Sequence, residues 1–298
     1  MRIFVTGATG FVGSAVVHEL LAAGHQVLGL VRSDSSAAAL AATGAEVHRG
    51  DLEDLDSLRR GTEQCEAVIH TGFIHDFARF AEVCAIDRRA IEAMGEVLKG
   101  SDRPFIITSG TALLSRGHLA TEDIVPNLST HPFPRVNTEV AGAELAAQGV
   151  HVSMLRLSPS THGDGDHGFV AMLINIARER GVSAYVGEGL NRWTAVHRLD
   201  AARLYRLAVE KGAANARYHA VAEEGVLFRD IAEVIGRRLN LPVVSKSPEE
   251  ADAHFGWFAH FAAIDCPASS ALTREILGWK PTECHLLADL DHGRYFDS

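Results

Sequence analysis

The chain has 298 residues, of which 47% are hydrophobic and 22% charged: enough to bury a sizeable core and too apolar for a disordered segment. Its formal charge of −10 offers no basic patch, which argues against nucleic acid as the partner, and no apolar run reaches the length of a membrane span. Four cysteines, Cys65, Cys84, Cys266 and Cys284, are scattered without paired spacing and read as reduced thiols, neither zinc ligands nor disulfides.

In chain order, Ile3 to Val5 reads as a buried parallel strand and Ser14 to Ala23 as a helix ending at Gly24. The strand starts at once, leaving no room for a signal peptide, so a cytoplasmic location is expected. Between strand and helix stand Gly7, Gly10 and Gly13, with Thr9, Phe11 and Val12 among them. Strand, glycine triplet and helix in this order form a phosphate-binding turn, in which backbone N–H groups approach a pyrophosphate at the positive end of the helix. The next strand, Gln26 to Val31, lies where an NAD-binding fold places an acid for the ribose hydroxyls. Here Arg32 and Ser33 follow instead, and a guanidinium with a hydroxyl suits a 2′-phosphate, so NADP(H) is the expected cofactor. A solvated surface cation is the plain alternative for Arg32, and Asp34 could serve NAD less well.

Further strand-like runs follow at Ala45 to His48, Ala67 to His70, Phe105 to Thr108 and Val152 to Leu157. Helical stretches separate them at Ala37 to Ala42, Leu55 to Arg60, Phe77 to Lys99 and Thr138 to Gln148. Such alternation predicts an α/β fold with a doubly wound parallel sheet, a Rossmann domain over residues 1–158 with a return at about 194–212. Residues 159–298, where the rhythm becomes irregular, are expected to form a smaller C-terminal substrate lobe. The loop His162-Gly163-Asp164-Gly165-Asp166-His167 lacks calcium-hand spacing and reads as a substrate-side loop, so no metal is expected. Tyr185, Asn191, Arg192, Trp193 and His197 are open to two readings, cleft wall or ordinary packing.

The patterns Thr6-Gly7-Ala8-Thr9-Gly10-Phe11-Val12-Gly13, Gly50-Asp51-Leu52, Ile107-Thr108-Ser109, Leu155-Arg156-Leu157-Ser158-Pro159 and Leu277-Gly278-Trp279-Lys280-Pro281 carry a resemblance. In this order they resemble the short-chain dehydrogenase/reductase superfamily, in its extended branch with NAD-dependent epimerase/dehydratase relatives. The resemblance implies Asp51 and Leu52 beside the adenine, and His70 to Phe73, with Thr71 and Gly72 between them, along the adenosine ribose and pyrophosphate. It also implies Thr108 at the cofactor, Ser109 near the reacting carbon, and Pro159, Ser160 and Thr161 near the nicotinamide amide.

The superfamily places a Tyr and, four residues later, a Lys about 25 residues after that serine. Here the spacing holds Arg135 and Glu139. Arg does not cycle a proton near neutral pH, so Arg135 replaces the tyrosine only as an electrostatic partner of an oxyanion or carboxylate. Glu139 could accept hydrogen bonds from ribose hydroxyls and pair with Arg135 one helical turn away; a surface ion pair without chemical use is the alternative. Ser109, Arg135 and Glu139 are thus the candidate catalytic set, and an NADP(H)-dependent oxidoreductase of a small carbonyl, imine or activated alkene is the first expectation. A non-catalytic NADP(H)-binding sensor or scaffold is the second, and a sugar-nucleotide epimerase or dehydratase the third. The partner is a small-molecule substrate, and a homodimer stays open.

Overall fold

The structure is a computed structural model and describes residues 1–114, 117–127, 129 and 132–297. The first half runs β1 (Arg2–Thr6), α1 (Phe11–Ala22), β2 (Gln26–Val31), α2 (Asp34–Ala41), β3 (Glu46–Arg49), α3 (Leu55–Glu63), β4 (Ala67–His70), α4 (Phe80–Leu98), β5 (Phe105–Gly110), α5 (Asn137–Ala147) and β6 (Val152–Leu157). The second half runs β7 (Ser160–His162), α6 (Phe169–Arg180), β8 (Ser183–Val186), β9 (Arg192–His197), α7 (Arg198–Lys211), β10 (Arg217–Ala220), β11 (Glu223–Leu227) and α8 (Phe228–Leu239). It ends with β12 (Val243–Lys246), α9 (Pro248–Phe255), α10 (Ala259–Ala263), α11 (Ala271–Leu277) and α12 (Leu286–His292).

Seven strands form one parallel sheet in the order β10-β6-β5-β4-β1-β2-β3. Strands such as Ile3-Phe4-Val5 and Ala67-Val68-Ile69 are apolar without alternation because helices cover both faces. On one face α1 packs on α7 through Val16, Leu20, Leu204 and Tyr205. On the other, α3, α4 and α5 bury Leu58, Ile91, Met94 and Leu145. The order reverses between β1 and β4, and at such a switch point an open sheet takes its ligand beyond the carboxyl ends of the strands.

A second core gathers α6, β8, α8 and α9 around Trp193, Phe228 and Phe258, beside the small sheets β11-β9-β7 and β12-β8. The chain does not stay there. It returns to the main sheet through α7 and β10, and Leu277 and Trp279 also pack into the core around β1. The helix read from Phe77 to Lys99 is broken at its start: Asp76 caps a single 3-10 turn, Phe77–Arg79, before α4 begins.

Candidate functional site

At the carboxyl end of β1 the glycines are fixed by contact. Gly7 has φ +68°, and a Cβ there would lie 2.7 Å from the Gly72 nitrogen; a Cβ on Gly13 would lie 2.0 Å from the Gly7 carbonyl oxygen. Thr71 closes the turn, its hydroxyl donating to the Thr6 carbonyl at 2.7 Å. Gly10, exposed beside Thr9, is the N-cap of α1, and no side chain caps that helix. Its first-turn N–H groups therefore face outward for an anion. Phe11 and Val12 begin the helix, with the Phe11 ring under the Arg198 guanidinium at 5.1 Å and edge-on to His167 at 5.9 Å.

At the end of β2, Arg32 is exposed, while Ser33 is engaged locally, its hydroxyl capping α2 by accepting the Ser36 N–H at 3.1 Å. The Asp51 carboxylate is likewise taken by its own loop, accepting the Glu53 and Asp54 N–H groups at 2.7 and 3.0 Å. A Cβ on Gly72 would lie 3.2 Å from Leu52 Cδ2, so Leu52 sits beside this turn. His70 is buried and bridges two elements, Nδ1 to Thr6 Oγ1 at 2.7 Å and Nε2 to Asp87 Oδ1 at 3.1 Å, so its ring reads the protein interior and its backbone alone faces the turn.

The expected pair of Arg135 with Glu139 does not form. Glu139 is fully buried, with Oε1 accepting Ser109 Oγ at 2.8 Å and Arg156 Nε at 2.7 Å, and Oε2 accepting Arg156 Nη2 at 2.8 Å. Burial alone would raise its pKa, but the Arg156 guanidinium and the Ser109 hydroxyl hold it below the usual carboxylate range. Both oxygens are spent on the interior, and the Ser109 proton points at Glu139. The correction has a simple cause: Asn137 starts α5, and at residue 139 the helix faces β6, where Arg156 is a cation on a buried strand.

Arg135, in the turn before α5, faces the other way. Its Nη1 donates to Asp87 Oδ2 at 2.6 Å and to Thr138 Oγ1, its Nη2 donates to the Thr108 carbonyl at 2.8 Å, and its guanidinium lies 4.3 Å from the Phe73 ring centre. Burial would raise Asp87, but Arg135, His70 and Thr138 hold it at about 2. Thr108 bonds the His70 carbonyl at 2.6 Å and Tyr205 at 2.7 Å; burial pushes the Tyr205 hydroxyl far up, so this tyrosine is a structural partner and no acid. Beyond β6, Thr161 donates to the Ser158 carbonyl, next to Pro159, and the buried Ser160 hydroxyl has no protein partner.

Sequence reasoning missed the wall that faces this end of the sheet. Phe77 stacks on Trp257 with centroids 4.3 Å apart and planes 17° apart, although Trp257 is 53% exposed. Phe169 meets Phe77 at 6.2 Å and Phe261 at 4.8 Å, and Phe133 stacks on Phe261 at 6.1 Å. His75 lies against Phe73 at 5.4 Å; its ring reaches solvent, yet desolvation and the charges of His167 and Arg135 push its pKa down. The rings come from four separate segments, which no local spacing reveals. The open readings of the return strand close on packing for three residues: Trp193 is buried, Arg192 pairs with Asp265 at 2.8 Å, and Asn191 donates to the Ala262 and Ile264 carbonyls. Among the described residues no helix is long and apolar enough to cross a membrane.

The chain is similar over 99% of its length, and 100% of the relative's, to an uncharacterized protein of Schizosaccharomyces pombe, at 54% identity. It is 25% identical to the 4-hydroxy-2-methyl-3-oxo-4-farnesyl-3,4-dihydroquinoline-1-oxide ketoreductase of Stigmatella aurantiaca, over 90% of this chain and 84% of that one. The structure of DesIV, a dTDP-glucose 4,6-dehydratase of Streptomyces venezuelae with NAD bound, superposes with a TM-score of 0.77 at 18% identity over 100% of this chain and 97% of that one, a likeness of fold. The model of the NAD dependent epimerase/dehydratase family, a family that binds a nicotinamide dinucleotide, matches residues 3–221. With that match over most of its length, the glycine turn on β1 and the seven-stranded parallel sheet, the chain belongs to the NAD dependent epimerase/dehydratase family.

Proposed function

We propose that the protein is an NADP(H)-dependent reductase of a carbonyl group carried by an apolar, ring-bearing small molecule. The observation that carries this reading is the aromatic wall of Phe73, Phe77, Phe169 and Trp257 at the carboxyl ends of β4 and β5, with Arg135 over one ring. Such rings bury planar apolar area and supply no charge to pair with a phosphate. The Stigmatella relative, by its name a ketoreductase of a farnesylated quinoline oxide, supports the same class.

Gly7, Gly10 and Gly13 would hold the pyrophosphate, Arg32 the 2′-phosphate, and Pro159 to Thr161 the nicotinamide end. NADPH, when bound, supplies a hydride. Arg135 then holds the negative charge that develops on the carbonyl oxygen. Ser109, whose proton is turned to Glu139, positions α5 against β5 and β6 and does not serve the acceptor. The proton comes from water or from a residue on the substrate side of the cleft. A binding protein without turnover is the second reading, favoured by the closed Ser109–Glu139–Arg156 network.

The test is NADPH oxidation against aromatic aldehydes, a diaryl diketone and quinones, with UDP-glucose conversion followed in parallel. Turnover of the ring-bearing carbonyls is the expected result. Tight NADPH binding with no turnover transfers the protein to the second reading, and UDP-glucose conversion overturns the substrate class.

A further inference from the structure

We propose that His197, Cys284 and Asp289, braced by His162, form a binding site for a single zinc-like transition-metal ion. The three come from separate places in the chain yet meet in space: one ligand atom of each lies within 4.8 Å of the others. β7 and β9 pair in parallel with His162 opposite His197, so two imidazoles emerge side by side from adjacent strand ends, edge to face at 5.3 Å. Cys284 stands just before α12, and Asp289 lies within its first turn.

The donor set selects the metal. A thiolate, an imidazole and a carboxylate suit zinc and its neighbours rather than calcium or magnesium, and two anionic donors balance the charge of a divalent ion. On binding, the Cys284 thiol releases its proton to solvent and the sulfur forms the metal bond. Zinc–ligand bonds of about 2.0–2.3 Å require donor atoms roughly 3.5 Å apart, so the site closes by about 1 Å around the ion, which the exposed Cys284 side chain can absorb.

His162 supplies an independent sign. Its Nδ1 is 2.8 Å from Asp289 Oδ2, the contact by which an outer imidazole orients a ligating carboxylate. The side chain is 1% exposed and its Nε2 has no hydrogen-bond partner, so the ring is held in place with one nitrogen unspent. The ion would pin the start of α12 to the ends of β7 and β9. Beyond α12, Tyr295 clamps the adjoining loop, donating to Asp166 at 2.9 Å and accepting the Gly163 N–H at 3.1 Å. The His162–His167 loop lacks calcium-hand spacing of its own, and from it His162 reaches this cluster through Asp289.

The experiment uses the untagged full chain, stripped with a chelator and titrated with Co²⁺. One equivalent with a thiolate-to-cobalt charge-transfer band, displaced by Zn²⁺, is expected. Cys284→Ser should abolish the band, His197→Asn and Asp289→Asn should each weaken binding at least tenfold, and His162→Gln should weaken it about ten- to a hundredfold. NADPH affinity and circular dichroism report whether each variant is folded, and any one folded variant decides. No stoichiometric binding, a spectrum without a thiolate band, or a band that survives in Cys284→Ser overturns the site.

Discussion

Replacing Glu139 with Gln separates the interior role of this carboxylate from a role at the cofactor. The structure gives Glu139 and Arg156 side chains no exposure, and the carboxylate accepts three hydrogen bonds at 2.7–2.8 Å. Removing the charge strands the Arg156 guanidinium in the interior, which costs about 3–5 kcal/mol. For a chain of 298 residues, an unfolding entropy of about 2.1 cal/mol/K per residue turns this into a fall in Tm of about 5–8 °C. Calorimetry measures the fall, and a parallel NADPH titration should show affinity within about threefold of the wild type, a difference below about 0.7 kcal/mol. Adding Arg156→Met removes the stranded cation and should recover part of the loss. An unchanged Tm with lost NADPH binding would refute the assignment and return Glu139 to the ribose.

On the NADP(H) reading, Arg32→Ala should weaken NADPH about ten- to a hundredfold and leave NADH unchanged, since the exposed guanidinium would pair with the 2′-phosphate; equal losses by titration would contradict it. Gly10→Val should abolish dinucleotide binding while the melting temperature holds, because the site is exposed and a Cβ there meets only the Gly7 carbonyl oxygen at 3.2 Å; Gly13→Ala, with a Cβ 2.0 Å from that oxygen, should lower both. The Asp87 pKa of about 2 lies below its unfolded value near 3.8, so its contribution is present above pH 4 and is lost as the pH falls toward 2. Urea unfolding should show the stability gap between wild type and Asp87→Asn narrowing by about 2 kcal/mol over that window, and a constant gap would remove the linkage.

The fold is legible in the sequence because its signals are local. Ile3 to Val5, the three glycines and the α1 pattern are contiguous, and the central strands β1, β2, β4 and β5 repeat the same apolar signature, whereas β10 (Arg217-Tyr218-His219-Ala220), at the sheet's edge, lacks it and is not read from the sequence. The four-residue spacing of Arg135 and Glu139 marks a helical relation as well, but spacing fixes only the angle between two side chains. The partner is set by what the sheet presents, and Arg156 and Asp87 lie on different elements. Those two residues do carry a signal: an arginine within Val152 to Leu157 and an aspartate between Ile86 and Ala90 are charges at core positions, and buried charges are paired. The aromatic wall has none, since Phe77, Phe133, Phe169 and Trp257 meet only after the chain has returned from the second core.

Charge compensation decides what the cleft can welcome. Arg135 would be a natural anchor for a substrate carboxylate or phosphate if its charge were free. It is instead matched by Asp87 and held at the Thr108 carbonyl, with an 18% exposed side chain and an aromatic face beneath it. An anionic substrate would leave water for a nearly neutral pair and rings, losing more hydration than it regains. On the proposed reading, a neutral carbonyl would lose little on entering and would meet the guanidinium most strongly as charge moves onto its oxygen, so the interaction would grow toward the transition state. On the proposed reading, the same Asp87 that removes Arg135 as an anion-binding site would leave it for the acceptor oxygen, which is why that reading prefers apolar carbonyl substrates to sugar nucleotides.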